Sequence, residues 1–403
     1  LRARMHAMSA TASAAEAPTA GGRRPGARVR LDEPPLAARG MVKPYHAVDS
    51  ALDALKIFLA RRAGSDEDLI HLGRRVGRLR HALALFSEPP DEDSILWMER
   101  GPRSLSLHSA PVEVGPVLAR TLLAQTIPQV FTSATLAVSG SRSRSTGAQG
   151  KDSPLAFFRA RVGMDLGCAE EDPETPWTEL ALDELVVSSP FDFKRQAMLY
   201  TPTDLPLPAD PSFITQASAR IATLLNIAGG RALVLFTSYR NLESARDLLR
   251  AHRFPFPLLC QGDQPRSTLL EAFREDVQSV LLATASFWEG VDVVGDALSL
   301  VIIDKLPFAV PDDPLTAARV ELLRRRGSSP FADYQLPQAA LALKQGFGRL
   351  IRHRSDRGVV AILDRRIVQK GYGKIMLRSL PPCPLTQDLD DVRIFFGDLE
   401  PPL

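Results

Sequence analysis

From residue 213 to residue 363 the chain alternates short β-rich apolar runs with segments of helical periodicity, and this alternation restricts its possible folds most. The apolar runs fall at 232–236, 258–259, 280–283, 298–303 and 359–363, and helical patterns at 213–227, 242–251, 269–273, 315–323 and 335–351. Near-continuous apolar strands separated by helices predict an α/β fold, a parallel sheet with helices on both faces. The crossover rule then gathers the strand carboxyl ends along one edge, where open α/β sheets bind their ligands. Thr237 and Ser238, the Trp288-Glu289-Gly290-Val291-Asp292 loop, Asp304 and Asp364 all follow such runs and are expected there.

The 403 residues suggest two or three domains. Residues 1–45 are an Ala/Arg/Gly/Pro-rich stretch expected to be disordered, 46–128 read as mostly helical with two short strands, and 129–403 hold the α/β pattern. A formal net charge of +2 excludes nucleic-acid binding through bulk charge, so any such contact needs local patches. Cys168, Cys260 and Cys383 are far apart and match no disulfide framework or zinc spacing. A reducing, cytoplasmic setting is expected, and no apolar run approaches the ~18 residues that span a membrane. The first residue is Leu, and a fragment is expected.

The stretch Gln345-Gly346-Phe347-Gly348-Arg349-Leu350-Ile351-Arg352 closes one helical pattern and sets two arginines three residues apart, on one helical face. Guanidinium groups clamp phosphate oxygens well; alternatively, a basic helix end simply complements the helix dipole. The arginine helix is expected to pack beside the ligand-binding edge. A further apolar strand, 129–136, is expected to run into the hydroxyls Ser133 and Thr135. The loop Gly147-Ala148-Gln149-Gly150-Lys151 is not a phosphate loop, because Ser145 stands where the first glycine belongs and Asp152 replaces the Mg²⁺-binding hydroxyl.

Taken together, Thr132-Ser133-Ala134-Thr135-Leu136, Phe236-Thr237-Ser238-Tyr239, Phe287 to Asp292 and Gln345 to Arg352 resemble the later motifs of superfamily-two helicases, in family order. Ile302-Ile303-Asp304-Lys305-Leu306-Pro307-Phe308 and Tyr372-Gly373 point to the DinG/XPD-like branch. The resemblance implies a RecA-like second motor domain, preceded by a remnant of the helical arch, in an ATP-dependent DNA helicase of 5′-to-3′ polarity. It implies that Arg349 and Arg352 reach ATP phosphates, with Gln345 and Gly348 in the polar and close-packing positions of the same motif. It assigns Glu289, Gly290 and Asp292 to coupling nucleotide state to the DNA groove. It places Thr237 and Ser238 on the phosphates of a single strand, with Ser133 and Thr135 linking cleft and strand. ATP with Mg²⁺ and single-stranded or forked DNA are the implied ligands.

The chain holds no GxxxxGK[ST] loop, no Asp-Glu-Ala-His box and no four-cysteine set for the family's iron–sulfur cluster. The expectation is that the first motor domain is a missing partner and that this chain alone is nearly inactive. A non-catalytic nucleic-acid-binding or assembly module with the same fold is the alternative.

Overall fold

The computed structural model describes residues 27–91, 93–101, 104–125, 127–138, 153–168, 182–284, 287 and 298–397. They divide into two compact units, one drawn from Leu1–Val117 with Val310–Pro330 and the other from Leu118–Ala309 with Phe331–Leu403.

In the first unit, β1 (Ala27–Leu31), β2 (Ser94–Arg100) and β3 (Leu105–Pro111) form an antiparallel sheet in the order β1-β2-β3. The stretch expected to be disordered to residue 45 therefore contains a strand. Arg28 and Arg30 alternate with half-buried Val29 and Leu31, a period of two. Their guanidiniums pair with Asp313 at 2.9 Å and Glu321 at 3.0 Å. Between β1 and β2 lies a hairpin of α1 (Val42–Ala63) and α2 (Glu67–Ala84). Asp66 caps α2 by accepting the N–H groups of Asp68 and Leu69. Arg80 of α2 ties the pair together through Asp49, at 2.8 Å, and Asp53. The helix Pro314–Arg325 belongs to this unit and not to the α/β region in which the sequence placed it. It buries Ala318 and Leu322 with Ile95 and Val112, and the Arg319 guanidinium donates to the Val112 carbonyl at 2.7 and 2.9 Å.

The second unit is built on seven parallel strands: β4 (Ala197–Tyr200), β5 (Ala232–Phe236), β6 (Leu258–Cys260), β7 (Val280–Thr284), β8 (Leu300–Ile303), β9 (Gly358–Ile362) and β10 (Leu385–Thr386). Their spatial order is β10-β4-β9-β8-β5-β7-β6. Alternate residues feed two cores. Leu233, Leu235, Val301, Ile303, Val360 and Ile362 face one side, and Val234, Phe236, Leu300, Ile302, Val359 and Ala361 the other. The second face is covered by α3 (Phe213–Ala228) and α4 (Tyr239–Arg250). The first is covered by α5 (Arg266–Glu275), α6 (Leu336–Phe347) and α7 (Gly373–Ser379). The closing helix, α8 (Leu389–Gly397), adds Val392, Phe395 and Phe396 to the second face.

Two expectations fail here. Residues 129–136 form no strand: no described strand pairs with them, so their backbone lacks a ladder, and Val130 is 88% exposed. The helix expected to reach residue 351 ends at Phe347. After it the N–H groups of Arg349 and Leu350 bond three residues back, to Gly346 and Phe347, while Leu350 and Ile351 turn into the core.

Candidate nucleotide and nucleic-acid site

The carboxyl edge of the sheet is organised around Asp304, which is fully buried at the end of β8. One oxygen accepts the N–H groups of Thr237 at 2.9 Å and Lys305 at 2.7 Å, and the other accepts the Asn241 amide at 2.9 Å. Burial pushes this carboxyl up to about 6, against the opposing pull of those donors and of the Lys305 charge. Asp304 thus fixes the turn carrying Thr237 and Ser238. Ser238 caps α4 by accepting the N–H of Asn241, and the Thr237 hydroxyl oxygen is buried with no hydrogen-bond partner among the described residues. Asp364, also fully buried, ends β9 in the same way, accepting the Leu306 N–H at 3.0 Å and the Arg366 guanidinium at 2.6 Å. Gln261, which belongs to no recognisable motif, joins this edge. Its carbonyl oxygen accepts the Thr284 N–H and hydroxyl at 2.7 and 2.9 Å, while its amide holds the Tyr239 hydroxyl. Only its position just after an apolar run could have signalled it.

The arginine stretch is not at that edge. In a parallel sheet each returning helix runs from the carboxyl edge back to the amino edge, so the end of α6 lies where β9 begins. Arg349 and Arg352 sit in the turn between α6 and β9, not on one helical face. They are on the order of a five-residue strand, ~17 Å, from the Thr237 turn. Gln345 is half-buried on the last helical turn, and Gly348 is the exposed helix cap, with a φ of −65°. A Cβ on Gly348 would lie 3.3 Å from the Lys344 carbonyl, a tight but yielding contact.

Two side chains hold the arginine turn. One oxygen of Asp356 accepts the N–H groups of Arg352 and His353, each at 2.8 Å. The buried Gln196, just before β4, donates its amide to the carbonyls of His353, Arg354 and Asp356 at 3.1, 3.1 and 2.9 Å. Its own carbonyl oxygen accepts the Asp192 N–H at 2.8 Å. Arg352 is half-buried, and its pKa falls below the ordinary arginine value through loss of hydration, with Arg274 adding and Asp356 opposing. A guanidinium with little water around it interacts more strongly with an incoming anion.

Ser133 and Thr135 lie together in a turn, the Thr135 N–H donating to the Ser133 hydroxyl at 3.2 Å. Lys344 of α6 donates to the nearby Ala137 carbonyl at 3.3 Å. Thr135 and Leu136 line a small cleft of about 250 Å³ with Phe158, Arg161, Tyr334 and Gln338. Glu289, Gly290 and Asp292 lie outside the described residues. The described residues contain no metal-binding group of His, Cys, Asp and Glu. Cys260 and Cys383 do not fit an iron–sulfur cluster: Cys260 ends β6, Cys383 lies in the loop before β10, and burial raises both thiols, Cys383 to about 11.

Residues 221–383, which span both edges, match the helicase C-terminal domain family Helicase_C_2. The ATP-dependent DNA helicase YoaA of Haemophilus influenzae is 35% identical over 350 residues, 87% of this chain and 50% of that protein. The ATP-dependent helicase DinG of Mycobacterium tuberculosis is 38% identical over 309 residues, 75% of this chain and 42% of that protein. The chain belongs to the DinG/XPD-like helicase family. Two family structures share its fold. An XPD helicase aligns at a TM-score of 0.54 and 15% identity, covering 89% of this chain and 58% of that one. Xpd4 of S. tokodaii aligns at 0.52 and 17%, covering 90% and 62%. The seven-stranded parallel unit is the RecA-like part of this DinG/XPD-like chain. The chain spans about half the length of the curated relatives it matches.

Proposed function

We propose that this chain is the second motor half of an ATP-dependent DNA helicase, acting on single-stranded or forked DNA. In this reading Arg349 and Arg352 enter an ATP site whose phosphate loop and Mg²⁺ carboxylate are supplied by a first motor domain. Their fixed charges stabilise the oxygens of the phosphoryl group in transit. The carboxyl-edge turn of Thr237 and Ser238 holds strand phosphates through hydroxyls and backbone N–H groups. Ser133 and Thr135 lie on the link between the two functions. Glu289, Gly290 and Asp292 keep their coupling role as part of the proposal.

The observation that carries the reading is the clamped turn. Asp356 and Gln196 together hold five backbone groups around Arg352, an arrangement suited to presenting a guanidinium at a fixed point. The test is to join this chain to a phosphate-loop motor domain from a DinG-type relative and measure DNA-stimulated ATP turnover. Arg349→Ala or Arg352→Ala should each lower turnover by about 10³-fold and leave single-strand affinity nearly unchanged. Near-normal turnover in either variant would overturn the assignment. Tight strand binding without turnover in the joined protein would favour the non-catalytic module.

A further inference from the structure

Beside the arginine turn, at the amino edge of the sheet, lies an open cleft of about 710 Å³. Lys194, Arg195, Arg354 and Arg357 line it, against a single carboxylate, Asp192, and with Phe395 among its apolar residues. Lys194, Arg195 and Arg354 are exposed, and none makes an ion pair among the described residues. Several other arginines of this unit do find carboxylates: Arg159 meets Asp165 and Glu184, Arg220 meets Asp204, Arg250 meets Asp263 and Arg366 meets Asp364. The Arg357 guanidinium lies over the Phe395 ring at 5.0 Å, which holds it by cation–π attraction.

We propose that this cleft is a second phosphate-binding site, sharing a wall with the arginine turn and separate from the Thr237 turn. Three chemical features favour phosphate. The cations are mostly arginines, whose planar forks match phosphate oxygens in pairs. They converge on one concavity rather than being spread over a convex face, so their fields add. The aromatic ring under Arg357 leaves a flat cation and an apolar surface side by side, a combination that also suits a nucleobase. The phosphates come either from a nucleic-acid strand or from a free nucleotide. Backbone carbonyls of the Arg354 loop are pinned by Gln196, whose side chain also lines the cleft. A ligand touching Arg354 therefore contacts the same loop that carries Arg352.

The test uses the full chain and the variant Lys194→Glu/Arg195→Glu/Arg354→Glu. Arg253→Glu/Lys370→Glu/Lys374→Glu, at exposed cations away from the cleft, is the control of equal charge change. Affinity for a fluorescent twenty-nucleotide oligothymidylate is followed by anisotropy over a salt series, and inorganic triphosphate and ATP are titrated by calorimetry. Matching unfolding midpoints confirm intact folding. For a strand ligand, the cleft variant should bind the oligonucleotide about tenfold more weakly, with a salt slope lower by about 2, and the control should be unchanged. For a nucleotide ligand, the loss should appear with triphosphate and ATP instead. Equal binding of every phosphate probe by parent and cleft variant overturns the proposal, as does an equal loss in the control variant. The readout is independent of ATP turnover, so failure of the arginine-turn assignment leaves it standing, and the reverse also holds.

Discussion

The carboxylate of Asp356 accepts the backbone N–H of Arg352 at 2.8 Å, and the same oxygen takes the N–H of His353 at 2.8 Å. The residue that fixes the arginine turn is thus four positions beyond it in sequence and owes nothing to helical geometry. Asp356→Ala should cost about 1–3 kcal/mol, because two donors lose a charged partner, and should lower turnover of the joined enzyme with little change in KM. Asp356→Asn keeps an acceptor oxygen and should retain most of both. Thermal unfolding and steady-state ATPase measurements check the pair.

Gln196 answers three carbonyls with one amide. Gln196→Glu replaces the donor by a second acceptor and sets a carboxylate against those oxygens. Destabilisation by about 2–3 kcal/mol in urea unfolding is expected, eased below the usual carboxylate pKa, where the acid regains one donor. A Gln196→Glu protein as stable as the parent at pH 7 would show that the three bonds contribute little.

Asp304 makes stability depend on pH in an unusual direction. Its carboxyl titrates at about 6 when folded and near the ordinary aspartate value of 3.8 when unfolded, so between these values the folded chain binds more protons. Stability from this group therefore falls as pH rises from about 4 to 6 and stays low above that, by on the order of 3 kcal/mol at most. Asp304→Asn keeps an oxygen for the Thr237 and Lys305 N–H groups, and Asn241 can turn its amide to match. Urea titrations at pH 4.5 and 7 should show that the parent's advantage over this variant is greater at pH 4.5 than at pH 7.

Gly358 opens β9, where a Cβ would stand 2.2 Å from the Ser299 carbonyl oxygen and 2.7 Å from a Leu350 methyl. Gly358→Ala should destabilise by about 3 kcal/mol, the upper range for overpacking, whereas Gly348→Ala should cost less than about 1 kcal/mol. Comparing the two unfolding midpoints tests which glycine carries the close packing around the arginine turn.

Strand and helix positions in the second unit were legible because both sheet faces are buried, which leaves runs such as 232–236 and 359–363 apolar throughout. The short strands β4 and β10 escaped notice, since four residues and two give no period. The first unit was less legible. Its strand β1 is disguised by Arg28 and Arg30, whose partners include Asp313 and Glu321, nearly three hundred residues away, and the helix Pro314–Arg325 joins it from inside another unit's sequence. At the site, Thr237, Ser238 and Asp304 fell where strand ends predicted. The arginines lie at the opposite edge from the one expected, because the helix stops at Phe347 where spacing alone continues it, and because a returning helix ends where the next strand begins. Gln196, Asp356 and Gln261 were invisible, since a lone amide or carboxylate reveals its role only through partners distant in sequence or set by loop geometry.

The separation of the two edges has a mechanical consequence. The arginine turn and the Thr237 turn are joined by strands that are buried on both faces and hydrogen-bonded to neighbours along most of the sheet. Such a slab transmits displacement as a stiff beam does, without a chain of side-chain rearrangements. Force applied at the arginine end therefore tilts the Thr237 end by the same angle, so the two turns move as the ends of one lever rather than as separate loops.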